Sequence, residues 1–186
     1  MSTTEHLVCE TPIRLLAEVD VKPDFDQCSF KNVELRRAPL NEYCTRIVSK
    51  MVSFIRKDGL HQYVFVKNQE ITEPIPAGRW HLDSSLNPIH EYENFLFVIG
   101  EARTQFVTTK MWLRRASSAQ DFHRQIAAKV VNTVTVPSAT IVAYNGSAVH
   151  RTPPLMPGRR LLIRLSSTDR KLTKYEPKRV PVSVSI

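Results

Sequence analysis

The sequence predicts a single α+β domain, mainly β, in which helices pack outside a sandwich or barrel of strands. Three observations predict this class. The chain has 186 residues, which is enough for one substantial core and short for two. One early segment has a helical apolar period, and six or more later segments have the composition and period of strands. A short helical part followed by a run of strands is typical of α+β folds.

Residues 1–61 are expected to supply short strands and one packing helix. Ile13–Val19 and Phe30–Leu35 are short apolar segments separated by turn residues, so we expect two short strands there. From Pro39 to Ile55, apolar side chains recur at helical spacing with charged residues on the other side. Lys57-Asp58-Gly59 would end this helix, because basic residues and glycine favour helix C-termini.

Residues 62–166 are expected to form the β core. The period changes to two after the helix, and Pro74, Pro76 and Gly78 then interrupt the pattern. A second, short helix is predicted at Ala119–Ala128. The predicted strands are Tyr63–Asn68, Asn94–Ile99, Thr104–Thr108, Met111–Leu113, Val131–Val136, Thr140–Ala143 and Arg160–Leu165.

The last two of these strands are predicted to form an antiparallel hairpin. Thr140–Ala143 would run in, the Pro- and Gly-rich segment 152–158 would turn the chain, and Leu161–Leu165 would run back. His150 would lie near the end of the first strand. Because side chains alternate along a strand, Arg160 and Arg164 should share one face, close to this histidine.

Composition limits the classes of partner and compartment. The formal charge is +8, from 26 Lys and Arg against 18 Asp and Glu, which favours nucleic acid, anionic metabolites or an acidic protein. The three cysteines show no Cys-x-x-Cys spacing, so no disulfide framework or zinc knuckle is indicated. No apolar run is long enough for a membrane span, and we expect a soluble, cytoplasmic protein. Residues 167–186 are expected to be a solvated basic tail, in which Val180–Ile186 could add an edge strand.

One short motif carries metal chemistry. His81-x-Asp83 places an imidazole and a carboxylate on the same face of an extended segment, and His150 follows at the end of a later strand. Two histidines and one carboxylate can bind one face of an octahedral Fe(II) and leave three positions open. Nothing in their spacing adds His90 or His123 to this set.

These residues resemble the motif of the Fe(II)/2-oxoglutarate-dependent dioxygenases. That family has a double-stranded β-helix, a jelly-roll or cupin-like fold, with His-x-Asp/Glu, a distal His and then an Arg about one strand later. The resemblance covers residues from about 62 to 166 and implies that His81, Asp83 and His150 are iron ligands. It further implies that Arg160 pairs with the C5 carboxylate of 2-oxoglutarate.

Two further residues resemble those of taurine dioxygenase-like members. Arg164 is similar to the additional arginine that can meet an anionic substrate, although it could instead bind the cosubstrate. Thr104, in Arg-Thr-Gln-Phe, is similar to the threonine that hydrogen-bonds the cosubstrate. The resemblance therefore implies an enzyme that uses Fe(II), 2-oxoglutarate and O2 to hydroxylate a small-molecule or anionic substrate, since a carboxylate at position 83 disfavours halogenation.

Other interpretations of the same residues stay open. His81 could be a turn residue and Asp83 a helix cap, and the two arginines could be a solvated strand face. The chain would then be a non-catalytic cupin-like binding or structural protein, which would not convert 2-oxoglutarate to succinate. A basic β-sandwich that binds nucleic acid is a second alternative, with strongly salt-dependent binding and no metal requirement. An oxygenase that acts on nucleotides or nucleic acid would combine the two.

Overall fold

The computed structural model describes residues 5–10, 12–20, 22–56, 61–83, 89–100, 103–169 and 171. This part of the chain is mainly β, as predicted, and its sheets are antiparallel. The strands are β1 (Glu5–Val8), β2 (Arg14–Glu18), β3 (Phe30–Glu34), β4 (His61–Ile71), β5 (Ile89–Gly100), β6 (Thr104–Val107), β7 (Met111–Arg114), β8 (Thr133–Val136), β9 (Thr140–Gly146), β10 (His150–Arg151) and β11 (Gly158–Thr168). The α-helices are α1 (Glu42–Val52) and α2 (Ala119–Ala127).

Two of the sheets face each other. The large sheet has the order β2-β9-β5-β11-β4-β3, and the small sheet has the order β10-β6-β8. Leu96, Val98 and Val142 of the large sheet share one buried apolar cluster with Phe106 and Val136 of the small sheet. The inner faces of the two sheets therefore enclose a space, and its floor is built by β5, β9 and β11.

Helix α1 covers the outer face of the large sheet. Its buried residues Ile47 and Met51 belong to the same apolar cluster as Phe95, Phe97 and Leu161 of the sheet. The helix begins after Asn41, whose side chain accepts a hydrogen bond from the backbone N–H of Cys44 at 2.8 Å. The predicted helix is confirmed but shorter than its apolar period, because the N–H groups of Phe54 and Ile55 bond to carbonyls three residues back, at 3.0 and 3.1 Å, in place of the α-helical four. Residues 57–60, which include the predicted stop signal, lie outside the described residues.

A third apolar cluster forms beside the two facing sheets. Strand β1 pairs with β7, and α2 packs nearby through Phe122 and Ile126 against Trp80. Helix α2 confirms the second predicted helix, and Ser118 caps it by accepting from the N–H of Asp121 at 3.1 Å. Strand β1 was not predicted, because its two apolar residues, Leu7 and Val8, are adjacent and show no alternation.

The predicted hairpin between β9 and β11 is wrong. Strand β5 lies between them and pairs with both. The connecting residues cross to the small sheet instead of turning tightly, and His150 and Arg151 form β10 beside β6. Leu155, in the same connection, exchanges two backbone hydrogen bonds of 2.9 Å with Ile75. The backbone groups of the crossover thus find partners outside the expected hairpin.

The predicted alternation along β11 is confirmed. Leu161, Ile163 and Leu165 are fully buried beneath α1 on the outer face of the large sheet. Arg160 and Arg164 point the other way, into the space between the sheets. One strand therefore supplies both the apolar core under α1 and two cations for the inner face.

The three cysteines differ in burial. Cys9 and Cys44 are buried, Cys28 is exposed, and all three are free thiols. Burial raises the pKa of Cys9 to about 11 and that of Cys44 to about 12, so both thiols stay protonated. Neither helix in the described ranges has the length and apolar character that crossing a membrane requires.

Candidate metal and anion site

His81, Asp83 and His150 meet at the space between the two sheets. One ligand-type atom from each lies within 4.8 Å of those of the other two. The backbone brings the histidines together, because His81 and His150 exchange two N–H to carbonyl hydrogen bonds of 3.0 Å. Their ring centroids lie 4.4 Å apart. The predicted group of three is thus assembled from a segment after β4 and from β10, which are distant in sequence.

The histidine rings are oriented by backbone carbonyls. Nδ1 of His81 lies 2.8 Å from the carbonyl oxygen of Arg79, and Nδ1 of His150 lies 3.0 Å from that of Ala148. A carbonyl only accepts hydrogen bonds, so each Nδ1 carries a proton and each Nε2 is the ring nitrogen left to face the site. Desolvation and the neighbouring His150 lower the pKa of His81 to about 4, although its ring reaches solvent at the mouth of the site. Imidazoles oriented in this way direct Nε2, the usual metal-binding atom, into the site.

Asp83 is buried, and both carboxylate oxygens have partners. The Tyr144 hydroxyl donates to Oδ2 at 2.5 Å, and the Arg164 guanidinium pairs with Oδ1. Nε2 of His150 lies 3.6 Å from the same Oδ1. Burial by itself would raise the pKa of Asp83, but Arg164, His150 and Tyr144 together hold it well below its usual range. The carboxylate is therefore ionised and fixed in orientation.

Arg164 is itself held from the edge of the sheet. Its Nη2 donates to Oδ1 of Asn32 at 3.1 Å, and its guanidinium carbon lies 5.2 Å from the centroid of the Phe65 ring. Asn32 has a φ of 45° and lies where the β3–β4 register shifts, between Phe30 and Val33. A bulge of this kind redirects side chains, and here it turns the Asn32 amide towards the arginine.

Arg160 lies two residues before Arg164 on the same face of β11. It is 3% exposed, and no carboxylate of the described residues lies within ion-pair distance of it. Its Nε is buried without a hydrogen-bond partner. Burial lowers the pKa of Arg160 to about 10, so the guanidinium remains charged at neutral pH. A buried cation without a counterion is a site that favours an anion.

Strand β5 approaches β11 closely at the position of Arg160. Gly100 of β5 is its direct partner in the register, with a φ of 101°. A Cβ at Gly100 would lie 2.0 Å from the carbonyl oxygen of Arg159, so the close approach of β5 and β11 requires glycine there.

A cavity of about 490 Å³ joins these groups, and we call it the site cavity. All six residues predicted for the site line it, with apolar walls from Phe65, Leu96 and Leu162. The cationic residues among its lining are Lys31, Lys67, Arg151, Arg160 and Arg164, whereas Asp83 is the one carboxylate among its described lining residues. The site cavity therefore combines a candidate metal site with a strongly positive wall.

The sequence did not indicate several residues of the site. Tyr144 lies in an apolar strand and resembles a core residue until its contact with Asp83 is known. Asn32, Lys31 and Lys67 come from β3 and β4, for which no functional pattern was visible. The predicted site residue Thr104 is 4% exposed and lines the site cavity at the start of β6, and its role stays a prediction.

Trp80 and His123 lie outside the candidate metal group. Trp80 is buried in the third cluster, with the guanidinium of Arg151 4.1 Å from its ring centroid. Nδ1 of His123 accepts from the backbone N–H of Trp80 at 3.1 Å, outside the candidate metal group. The side chain of His90 lies outside the described residues.

Comparisons with known proteins give weak structural similarities. No protein-family model and no curated protein matches the chain. AviO1 from Streptomyces viridochromogenes Tue57 is 13% identical with a TM-score of 0.35, over 82% of this chain and 76% of that one. HygX from Streptomyces hygroscopicus, solved with iron bound, is 12% identical with a TM-score of 0.36, over 70% of this chain and 66% of that one. CapF, solved with the inhibitor 3-isopropenyl-tropolone, is 12% identical with a TM-score of 0.24, over 62% of this chain and 27% of that one.

Proposed function

We propose that this protein is an Fe(II)- and 2-oxoglutarate-dependent dioxygenase that hydroxylates a small molecule. One observation carries the proposal: the His81, Asp83 and His150 group opens into the same cavity as Arg160, a buried cation that has no carboxylate partner among the residues the structure describes. A metal and an acid cosubstrate could therefore bind next to each other. We also propose that the two facing sheets form a double-stranded β-helix, which the crossover between β9 and β11 through the small sheet supports.

The three donor groups fit Fe(II). Two imidazole nitrogens and one carboxylate oxygen form a set that suits non-haem iron and leaves coordination positions for other ligands. Each Nδ1 is satisfied by a carbonyl, so the Nε2 lone pairs of His81 and His150 are available. Bound iron would supply the oxidising chemistry, in which O2, 2-oxoglutarate and a C–H bond give succinate, CO2 and a hydroxylated product.

Arg160 fits the far carboxylate of the cosubstrate. A guanidinium binds a carboxylate with two parallel hydrogen bonds, and its unpartnered Nε is one of the donors available. Thr104 lines the same cavity and could add a hydroxyl to the cosubstrate. This arrangement favours a dicarboxylate over a neutral ligand, since a neutral ligand would leave the buried charge of Arg160 without a carboxylate partner in the described part of the chain.

The residues around the metal group would keep it in one geometry. Arg164 and Tyr144 hold the Asp83 carboxylate ionised and restrict its rotation. Such outer partners commonly change metal affinity or activity 10- to 100-fold when they are removed. Phe65, Leu96 and Leu162 supply the apolar walls that would exclude water from the reacting groups.

The alternatives make different use of the same cations. A nucleic-acid-binding sandwich would need its basic residues on an open surface, whereas Arg160 and Arg164 are enclosed in a cavity. A non-catalytic binding protein of the same fold could use the site cavity for a ligand without iron. Turnover separates this second alternative from the enzyme.

The test is an anaerobic titration of Fe(II) and 2-oxoglutarate, followed by exposure to O2. A weak visible charge-transfer band and later formation of succinate, measured by NMR, are expected for the wild type and for the control His61→Ala. His61 lies on β4 and is not in the metal group. His150→Ala should lose both signals. A folded wild-type protein that gives neither band nor succinate would overturn the proposed function.

A further inference from the structure

Two lysines of the site cavity come from neighbouring strands at its β3–β4 side. Lys67 is the direct partner of Leu162 in the β4–β11 register, so its side chain emerges on the inner face beside Arg160. Lys31 precedes Asn32 in the bulge of β3, where Phe30 faces Val66 and Val33 faces Val64. The extra residue of the bulge lets both Lys31 and Asn32 line the cavity.

Neither lysine has a counterion among the described residues. Within the described ranges, no carboxylate oxygen lies within 4.0 Å of either amine. Lys31, Lys67 and Arg160 line the same cavity, and desolvation together with the charges of Arg160 and Lys31 lowers the pKa of Lys67. An anion placed between them would relieve this repulsion.

The other cationic residues of the site cavity already have partners or assigned roles. Arg164 pairs with Asp83, and Arg160 is assigned to the cosubstrate. Arg151 donates to Gln105 at 2.8 Å and stacks on Trp80. Lys31 and Lys67 are therefore left over after the metal group and one dicarboxylate have been placed. A cavity of about 490 Å³ is in the size range of sites for drug-sized ligands and has room for a second small molecule.

We propose that Lys31 and Lys67 form an anion subsite for the substrate to be hydroxylated, which is thus a small molecule with a phosphate or carboxylate group. The inference rests on the proposed function of the same cavity. It assigns recognition of the substrate to the bulged edge strand β3 and its neighbour β4, apart from the metal group and from Arg160. The C–H bond to be oxidised belongs to the part of the molecule that extends from the lysines towards His81 and Asp83.

Calorimetric titration of three matched probes into the anaerobic protein loaded with Fe(II) and 2-oxoglutarate tests this subsite. Phenyl phosphate and phenylacetate carry the two candidate anions, and benzyl alcohol is the neutral control. One of the anions should bind at least about tenfold more tightly than benzyl alcohol, since each charge-assisted contact contributes about this factor. The tighter of the two identifies the anion.

Variants assign the effect to the lysines. Lys31→Ala and Lys67→Ala should each weaken binding of that anion about tenfold, and Lys67→Arg should retain most of the affinity. Lys50→Ala removes a lysine that, like Lys31 and Lys67, is exposed but lies outside the site cavity in the last turn of α1, and it should bind like the wild type. The affinity for 2-oxoglutarate should change less than threefold in all four variants.

Several results would overturn the subsite. The subsite would be refuted if benzyl alcohol bound as tightly as both anions. It would also be refuted if neither Lys31→Ala nor Lys67→Ala changed the affinity for the anion. A loss of 2-oxoglutarate affinity in Lys67→Ala, with unchanged anion binding, would instead place that lysine in the cosubstrate site. If the wild type forms no Fe(II)–2-oxoglutarate complex, the proposed function fails, and the same titrations of metal-free protein decide the subsite separately. Lysine-dependent anion binding there would support it, and its absence would overturn it.

Discussion

Replacement of Arg160 by methionine should make the ligand-free protein more stable and its binding of 2-oxoglutarate much weaker. Arg160 is 3% exposed and lacks a carboxylate partner in the described part of the chain, and burial lowers its pKa to about 10. A pKa difference corresponds to about 1.4 kcal/mol for each pH unit. The charged guanidinium therefore destabilises the ligand-free fold by about 3 kcal/mol, and a neutral side chain of similar length removes this penalty.

The pH dependence of this effect has a definite sign. Below pH 10 the folded and unfolded chains both keep Arg160 protonated, so the full destabilisation is present at neutral pH. Above pH 10 the folded chain releases the proton first, and the wild type should regain stability relative to Arg160→Met. Urea unfolding of metal-free protein at pH 7.5 measures the expected gain.

The effect on cosubstrate binding has the opposite direction. Loss of one partner of a partly buried ion pair costs about 2–5 kcal/mol, which corresponds to a Kd for 2-oxoglutarate raised roughly 30-fold to several thousand-fold. Arg159→Met is the matched control, because Arg159 is exposed and contacts Phe25 outside the site cavity. It should leave the anaerobic titration unchanged. Lower stability together with unchanged 2-oxoglutarate affinity in Arg160→Met would refute the reasoning, since Arg160 would then be a structural residue of the fold.

Three further predictions concern the metal group and the tail. Asp83→Ala should weaken Fe(II) binding and abolish succinate formation while the circular dichroism spectrum stays native, and combining it with His150→Ala should add little, because the ligands act as one unit. Tyr144→Phe removes the hydrogen bond to Asp83 and should weaken Fe(II) binding about tenfold in metal titrations, with about 1–3 kcal/mol lost in urea unfolding. Deletion of Lys171–Ile186 should leave succinate formation without substrate intact; loss of folding would show that the tail belongs to the sheet.

The sequence predicted the parts of the fold that depend on local periods. Alternation along β11 separated Arg160 and Arg164 from the leucines beneath α1, and the structure confirms both faces. Helical spacing likewise located α1 and α2. These predictions succeed because the period of a helix or strand is a property of neighbouring residues.

Features that depend on distant partners could not be predicted. Strands β5, β9 and β11 are all apolar, so composition does not show which of them are neighbours. We predicted that β9 pairs with β11, whereas each of them pairs with β5. Arg164 and Asp83 are 81 residues apart, so no spacing rule connects them. The bulge at Asn32 depends on the register of β3 against β4, and one extra residue there decides which side chains reach the cavity.

The two backbone hydrogen bonds between His81 and His150 place two proposed metal ligands from distant parts of the sequence side by side. An ion bound to both side chains would close the long loop between them and act as a reversible cross-link. The unfolded chain would gain little from the same ion, so occupancy should slow the exchange of the amide hydrogens of His81 and His150 with solvent. Hydrogen exchange at these two amides would thus report metal occupancy without any turnover.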